Sequence, residues 1–348
     1  MNTGDPIYKH LRIVAVISET SDTKSFELSA MGDWDAKYEA GQFTTFVFRK
    51  RDKEDRRSYS FSSSPALNEP MRVTVKRIAN GEYSRQLFNH AKPGDILISS
   101  GISGYFRLPK EYATTQQLFF LAAGSGITPI FSILKTVLYT TSLPVVLVYS
   151  NRSERDTIFY KDLLQLQQQF KERLSIQFLF SHIRHVHKSR LSKSLLNMLL
   201  EEYKVLLQQT LFYICGPADY MLMAGISLVT AGVPEENIKK ESFNTRKHII
   251  KPVPPDTAIH NVKVSINNST YKFPVQYPDT ILSAAKKLNI HLPYSCEAGN
   301  CGSCSATCTK GTVWMAYNEV LIDDEIAKGK VLTCQGYPVD GDVVIEFD

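Results

Sequence analysis

Six cysteines are the residues of this 348-residue chain best suited to redox or metal chemistry, and four of them form a pattern. Cys296, Cys301 and Cys304 are spaced C-x4-C-x2-C, and 29 residues separate Cys304 from Cys334. Four thiolates at this spacing hold a plant-type [2Fe–2S] cluster. Gly299 and Gly302 lie between them and let the backbone wrap a small inorganic core. Loop amides turned inward can hydrogen-bond sulfur and tune its potential. Two other readings compete. Disulfides suit short exported chains, whereas this chain is long and Met1–His10 shows no basic-then-apolar export pattern. Structural zinc favours paired C-x2–4-C knuckles, and only one C-x2-C is present. The spacing therefore favours the cluster, a one-electron carrier that needs a donor upstream and an acceptor outside. Cys308 reads as a small buried residue in a strand.

Upstream, Arg57-Ser-Tyr59-Ser60 reads as part of a strand, with Arg57 and Tyr59 on one face. A guanidinium there can clamp a pyrophosphate, a tyrosine can stack on an isoalloxazine, and Ser60 can donate to flavin N5. Gly81 to Ser84 open a helix and offer an anion site. Gly101–Phe106 reads as a loop able to close on the flavin edge. Alone, Arg-x-Tyr-Ser is equally an ordinary surface strand.

Next, Gly124-Ser-Gly126-Ile-Thr128-Pro129 lies between an apolar strand and a helix. That geometry holds a nucleotide pyrophosphate, and Pro129 suits a first helical turn. It is not the G-x-G-x-x-G fingerprint, and an unliganded tight turn is the alternative. The following strand ends in Ser150-Asn-Arg152, where an adenosine ribose lies in a doubly wound sheet. With no acid to bind a ribose diol, Ser150 and Arg152 favour NADPH over NADH. Arg190 is a further candidate for the nucleotide. His182, His185 and His187 sit among basic residues without a carboxylate or cysteine, as in a solvated loop rather than a metal site. Cys215-Gly216-Pro217 ends another strand. Gly216 lets a flat ring approach, and Cys215 is either a nicotinamide contact or a buried thiol. Glu241 and Phe243 place an acid and an aromatic on the open side of the flavin.

The elements that must position these residues divide the chain. Residues 1–112 alternate as short strands punctuated by Gly and Pro, an antiparallel β-barrel. Residues 113–247 alternate strand and helix, an α/β Rossmann-like parallel sheet. Residues 248–260 form a linker stiffened by Pro252, Pro254 and Pro255. Residues 261–348 are an α+β module, strands with one helix capped by Thr280 and the cysteine loop, as in a β-grasp ferredoxin domain. Net charge is +5, but residues from Asn261 onward carry −3 and the first 260 carry +8. An acidic module on a basic body suits docking by charge. No basic run interleaved with aromatics suggests nucleic acid. No apolar run spans a membrane, and reduced thiols suit the cytoplasm.

Arg57-Ser-Tyr59-Ser60, Gly124–Pro129, Cys215-Gly-Pro217 and the cluster cysteines occur in an order that resembles the ferredoxin–NADP reductase-like flavoproteins with a fused C-terminal plant-type ferredoxin. The resemblance covers nearly the whole chain. Within that group the order is similar to the reductase subunit of the phenylacetyl-CoA epoxidase and to reductases feeding oxygenases and desaturases. It implies electron flow from NAD(P)H to FAD to the cluster, then to an oxygenase or other redox-protein acceptor. It implies that Arg57, Tyr59 and Ser60 hold FAD, with Gly81 and Ser84 at its pyrophosphate. Gly124, Gly126 and Thr128 would hold the nicotinamide nucleotide, and Cys215 would sit by the hydride-transfer site. Cys296, Cys301, Cys304 and Cys334 would ligate iron. Ala123 stands where the family usually has the first of two glycines. A general diaphorase, a desaturase reductase and a non-catalytic iron–sulfur redox sensor remain as alternatives. Neither acceptor nor oligomeric state is legible.

Overall fold

In the N-terminal third, inward-facing apolar residues alternate with polar ones along six antiparallel strands. These are β1 (Lys9–Thr20), β2 (Thr23–Ala30), β3 (Phe43–Lys50), β4 (Lys53–Ser60), β5 (Arg72–Lys76) and β6 (Ile96–Ser103), in the order β4-β3-β6-β1-β2-β5. The structure is a computed structural model and describes residues 8–50, 53–109, 114–183, 189–243, 252–266 and 269–347. Leu11, Ile13, Phe26, Phe46, Phe61 and Val73 fill the interior. An antiparallel bridge between Phe61 and Val73 joins the two outer strands and closes the barrel. Helix α1 (Glu82–His90) adds Leu87 to that core.

The middle of the chain runs β7 (Gln117–Ala123), α2 (Ile127–Thr140), β8 (Val145–Asn151), α3 (Tyr160–Gln169), β9 (Leu174–Phe180), α4 (Lys193–Glu202), β10 (Thr210–Cys215), α5 (Ala218–Ala231) and β11 (Ile238–Glu241). The strands are parallel, ordered β11-β10-β7-β8-β9. Because both faces are covered, β7 is apolar from Leu118 to Ala123. Leu118, Phe120 and Ala122 pack with α2 and α3, while Phe119 and Leu121 pack with α4 and α5. The chain leaves β7 toward β8 and β9, then returns to its other side for β10. The switch point, where such sheets bind ligands, therefore lies between β7 and β10.

Contacts divide the chain into two units. One holds Met1–Ile102 and Phe106–Ser242, the other Ser103–Tyr105 and Phe243–Asp348. The expected boundaries at 112/113 and 247/248 fall outside the described residues. In the second unit, β12 (His260–Ile266), β13 (Ser269–Val275), β14 (Ser305–Met315), β15 (Lys330–Leu332) and β16 (Gly336–Glu346) form a mixed sheet ordered β13-β12-β16-β14-β15. Helix α6 (Ile281–Lys287) crosses it. A capping box between Thr280 and Ser283 starts that helix, and Ile281, Leu282 and Ala285 face the core. The last strand bulges at Asp340-Gly-Asp342, where Asp340 and Gly341 have φ of +60° and +138° and the register with β14 jumps from Val339 to Val344. The short helix α7 (Asp323–Ala327) has no apolar period to announce it. Among the described residues, no helix is long and apolar enough to cross a membrane.

Candidate active site and cysteine loop

The C-terminal ends of β7, β10 and β11 line up. Cys215 pairs with Ala122 on one side and Glu241 on the other. Ser60, at the end of barrel strand β4, donates its hydroxyl to Glu241 Oε2 at 2.8 Å. Ser60, Cys215 and Glu241 are all buried, at 3%, 0% and 7% exposure. Burial raises the Glu241 carboxyl to about 8, with the Ser60 hydrogen bond opposing the rise. Burial and then the Glu241 charge push the Cys215 thiol up. Near neutral pH both groups are protonated, so this buried spot offers an acid and a hydroxyl without a fixed charge. Phe243, two residues on, is 43% exposed.

The glycines of the β7–α2 turn have different reasons. Gly124 has φ +54° and faces open space. A Cβ on Gly126 would stand 2.1 Å from the Cys215 carbonyl oxygen, so only glycine lets the turn press on the end of β10. A Cβ on Gly216 would meet Ala123 and Tyr220 at 3.0 Å. Thr128 donates its hydroxyl to the Ser125 carbonyl at 3.0 Å, and Tyr149 donates to the Gly124 carbonyl at 3.0 Å. Of the three residues expected to face a nucleotide, only Gly124 faces outward. Gly126 and Thr128 build the turn.

On the barrel, the Arg57 guanidinium stacks over the Tyr83 ring, 5.1 Å from its centroid, and donates to the Arg56 carbonyl at 2.7 Å. Among the described residues no carboxylate forms an ion pair with it. Tyr83 is held by donation to Asp55 at 2.6 Å. Arg57 is thereby held beside the first turn of α1, leaving positive charge next to free helix amides. That arrangement fits a pyrophosphate. The Ser84 hydroxyl is already used, donating to the Gly81 carbonyl and accepting from the Ile78 amide, both at 3.2 Å. What Ser84 and its neighbours offer is backbone N–H. The Tyr59 ring is half-buried and tilted against Phe46, centroids 5.4 Å apart. Tyr83 and Asp55 were not singled out by sequence, although Tyr83 lies inside the Gly81–Ser84 motif.

At the far end of β8, Arg152 is exposed, and its carbonyl accepts from the His182 amide at 3.1 Å. Arg190 is exposed as well. His185 and His187 lie outside the described residues.

In the second unit the four patterned cysteines meet as two pairs. The Cys301 sulfur lies beside Cys296 and accepts from the Cys296 amide at 3.5 Å, while Cys296 sulfur accepts from the Ala298 amide at 3.3 Å. The Cys304 thiol is within hydrogen-bonding reach of Cys334. The Cys301 hydrogen bond pulls the Cys296 thiol down to about 6 and leaves Cys301 raised. A two-iron cluster held by four cysteines takes two thiolates per iron, and the pairs fit it. Gly299 and Gly302 have φ of +79° and +72°, and a Cβ on Gly302 would strike the Tyr105 ring at 2.7 Å. Tyr105 also bonds Ser305, hydroxyl to hydroxyl at 2.6 Å, and Ser103 bonds Ser303 at 3.2 Å. Within the 101–106 stretch, Ser103 and Tyr105 are the residues that meet the cysteine loop. Gln335 was not anticipated. Its amide donates to the Glu297 carbonyl at 3.1 Å and approaches Cys334 sulfur at 3.8 Å. Cys308 departs from expectation. It is half-exposed on β14 and turned toward the Lys310 and Gly311 carbonyls.

Comparison with known proteins agrees with this layout. The family model described as oxidoreductase FAD-binding domain matches residues 10–108, and that described as oxidoreductase NAD-binding domain matches 120–225. The 2Fe-2S iron-sulfur cluster binding domain matches 264–339. The ferredoxin reductase component of 3-ketosteroid-9-alpha-monooxygenase from Rhodococcus rhodochrous is 31% identical over 97% of this chain and 96% of its own. A component of the 1,2-phenylacetyl-CoA epoxidase from Escherichia coli K12 is 31% identical over 98% of both chains. Phthalate dioxygenase reductase shares the fold, with a TM-score of 0.58 at 24% identity over 98% of both chains.

Proposed function

Because this chain belongs to the family of reductase components that carry FAD-binding, NAD-binding and [2Fe–2S] domains, we propose that it takes electrons from a nicotinamide coenzyme and passes them to a separate oxygenase. It is an NAD(P)H-dependent oxidoreductase. The observation that carries the reading is the Ser60–Glu241 hydrogen bond. It joins the flavin-side strand to the edge of the nucleotide sheet, beside Cys215.

When bound, FAD would supply hydride acceptance and the cluster one-electron transfer. The chain's residues position and shield these groups. Arg57 and the first-turn amides of α1, beginning after Gly81 and including that of Ser84, hold the flavin pyrophosphate. Tyr59 would pack along the flavin, and Ser60, whose hydroxyl proton goes to Glu241, would stand beside its reacting edge. Gly124 leaves room for the nucleotide phosphates at the start of α2. Cys215 and Gly216 bound the nicotinamide site, where Glu241 holds a proton and excludes a fixed charge. Cys296, Cys301, Cys304 and Cys334 would hold the cluster. The purified full-length protein is expected to retain FAD and to reduce ferricyanide and cytochrome c with NADPH. An apoprotein that takes up neither flavin nor iron would end this reading.

Two predictions arise at the binding residues. Ser150 lies in β8 and Arg152 just past its end, with no acid from Ser150 to Ser153, so the coenzyme is NADPH rather than NADH, with Arg190 reinforcing the 2′-phosphate. Arg152→Ala is expected to raise the NADPH KM about tenfold and leave the NADH KM nearly unchanged. Equal changes for both coenzymes would remove Arg152 from the site. Arg57→Ala is expected to lower FAD affinity about tenfold or more, since it removes the cation beside α1. Flavin retention equal to wild type through gel filtration would show that Arg57 is not its anchor.

A further inference from the structure

A buried cation lies in the seam between the barrel and α2. Lys135 is 6% exposed, and its ammonium donates to Glu69 Oε2 while resting 4.4 Å from the Phe131 ring centroid. The same Glu69 oxygen accepts from the Ser64 amide at 2.6 Å. One turn earlier and one residue later on α2, Ser132 donates to the Ser63 carbonyl at 2.5 Å and Thr136 bonds the Ser64 hydroxyl at 2.7 Å. Ser62, Ser63 and Ser64 are essentially inaccessible. From the barrel side, Tyr38 grips Ser63 at 2.6 Å, and the Ser63 hydroxyl accepts from the Arg72 amide at 2.8 Å.

What these bonds connect is informative. The gripped segment, residues 61–69, begins one residue after Ser60. The helix that grips it begins at the Gly124–Gly126 turn. The loop closes on the other side, where Gly126 packs on Cys215, Cys215 pairs with Glu241, and Glu241 accepts from Ser60. A buried ion pair is weak evidence for stability, because desolvation offsets its attraction. Its distinctive property is direction: an ammonium and a carboxylate satisfy each other in one register, whereas an apolar seam tolerates sliding.

We propose that Lys135 is a positioning residue, whose pairing with Glu69 holds the strand ending at Ser60 in register with the nucleotide turn and so sets the geometry of hydride transfer. This rests on the function proposed above. A displacement of about 1 Å at reacting atoms costs roughly a hundredfold in rate, so a seam distant from the chemistry can govern it.

The test compares Lys135→Met, Glu69→Gln and the double variant Lys135→Met/Glu69→Leu in full-length holoprotein. Flavin bleaching by NADPH is followed in stopped flow, with the deuterium isotope effect on steady turnover and the melting temperature. Lys135→Met is expected to keep FAD and the coenzyme KM, to slow bleaching about tenfold and to raise the isotope effect. The double variant, with no charge left unpaired, is expected to regain melting temperature but not bleaching rate. If bleaching recovers with melting temperature, or Lys135→Met changes melting temperature alone, the pair is structural only and the proposal is overturned. Should Lys135→Met fail to fold, Glu69→Gln decides: slower bleaching at unchanged melting temperature supports positioning, and an unchanged rate overturns it. Wild-type protein that fails to oxidise NADPH would instead overturn the functional reading.

Discussion

Cys301→Ala is expected to erase the visible absorption of the cluster, leave FAD in place and split the two acceptor activities. Cytochrome c reduction falls to background, and ferricyanide reduction stays near the wild-type rate. Cys301 forms one thiol pair with Cys296, so its loss would leave the cluster with three of its four thiolates. The damage is confined because the second unit has its own core, built on Val262, Val264, Phe273, Ile281 and Ile345. The barrel and the parallel sheet have separate cores. Cys308→Ala is the control. Its thiol is turned toward the Lys310 and Gly311 carbonyls, so the cluster should persist. Loss of ferricyanide reduction in Cys301→Ala would mean that electrons do not reach the flavin first. Loss of the cluster in Cys308→Ala would mean that the ligand set is wrong.

Glu241→Gln is expected to slow flavin reduction by NADPH roughly a hundredfold and to flatten its pH profile, as loss of a positioned acid does. In the wild type, the carboxyl is raised from 4.5 to about 8 by burial, so it is protonated near neutrality. Activity should fall as pH rises through about 8, where a charge appears beside Ser60 and Cys215. The same group makes stability depend on pH. Its folded-state pKa lies above the unfolded value, so the folded chain binds more protons between the two. The stabilising contribution of the protonated form is complete below about 4.5 and is lost as pH rises toward about 8. Glu241→Gln should therefore denature at a more nearly constant urea midpoint across that window. A variant whose profile still breaks near 8 would assign the ionisation to another group.

Contiguous chemistry is legible before any fold is known. The C-x4-C-x2-C spacing, the glycines within it and the β7–α2 turn are local, because each depends on residues that share one loop. Strand β7 is legible to the residue, since a fully buried parallel strand is an unbroken apolar run. The capped start of α6 is equally plain, with Thr280 and Ser283 making both bonds of the box. The last strand is not: β14 pairs with it on both sides of the bulge at Asp340–Asp342, from Gly336 to Val339 and from Val344 to Glu346, and that long-range pairing, not the local pattern, joins the two segments.

The sequence by itself determined the redox group, the order of the three modules and the identities of Ser60, Cys215 and Glu241 as candidates. The tertiary structure decided what those candidates do to one another. Ser60 and Glu241 are 181 residues apart and meet only because barrel closure and parallel register bring β4 and β11 to one edge. Gly126 is expected at a phosphate from its motif, and only the fold shows that its missing side chain makes room for the Cys215 carbonyl. Lys135 carried no signal at all, being one lysine on an apolar helix whose partner lies 66 residues earlier. The physical reason is the same in each case. Residue type and short spacing fix what a group can donate, accept or ligate, whereas burial, pKa and partnership are set by neighbours that only folding supplies.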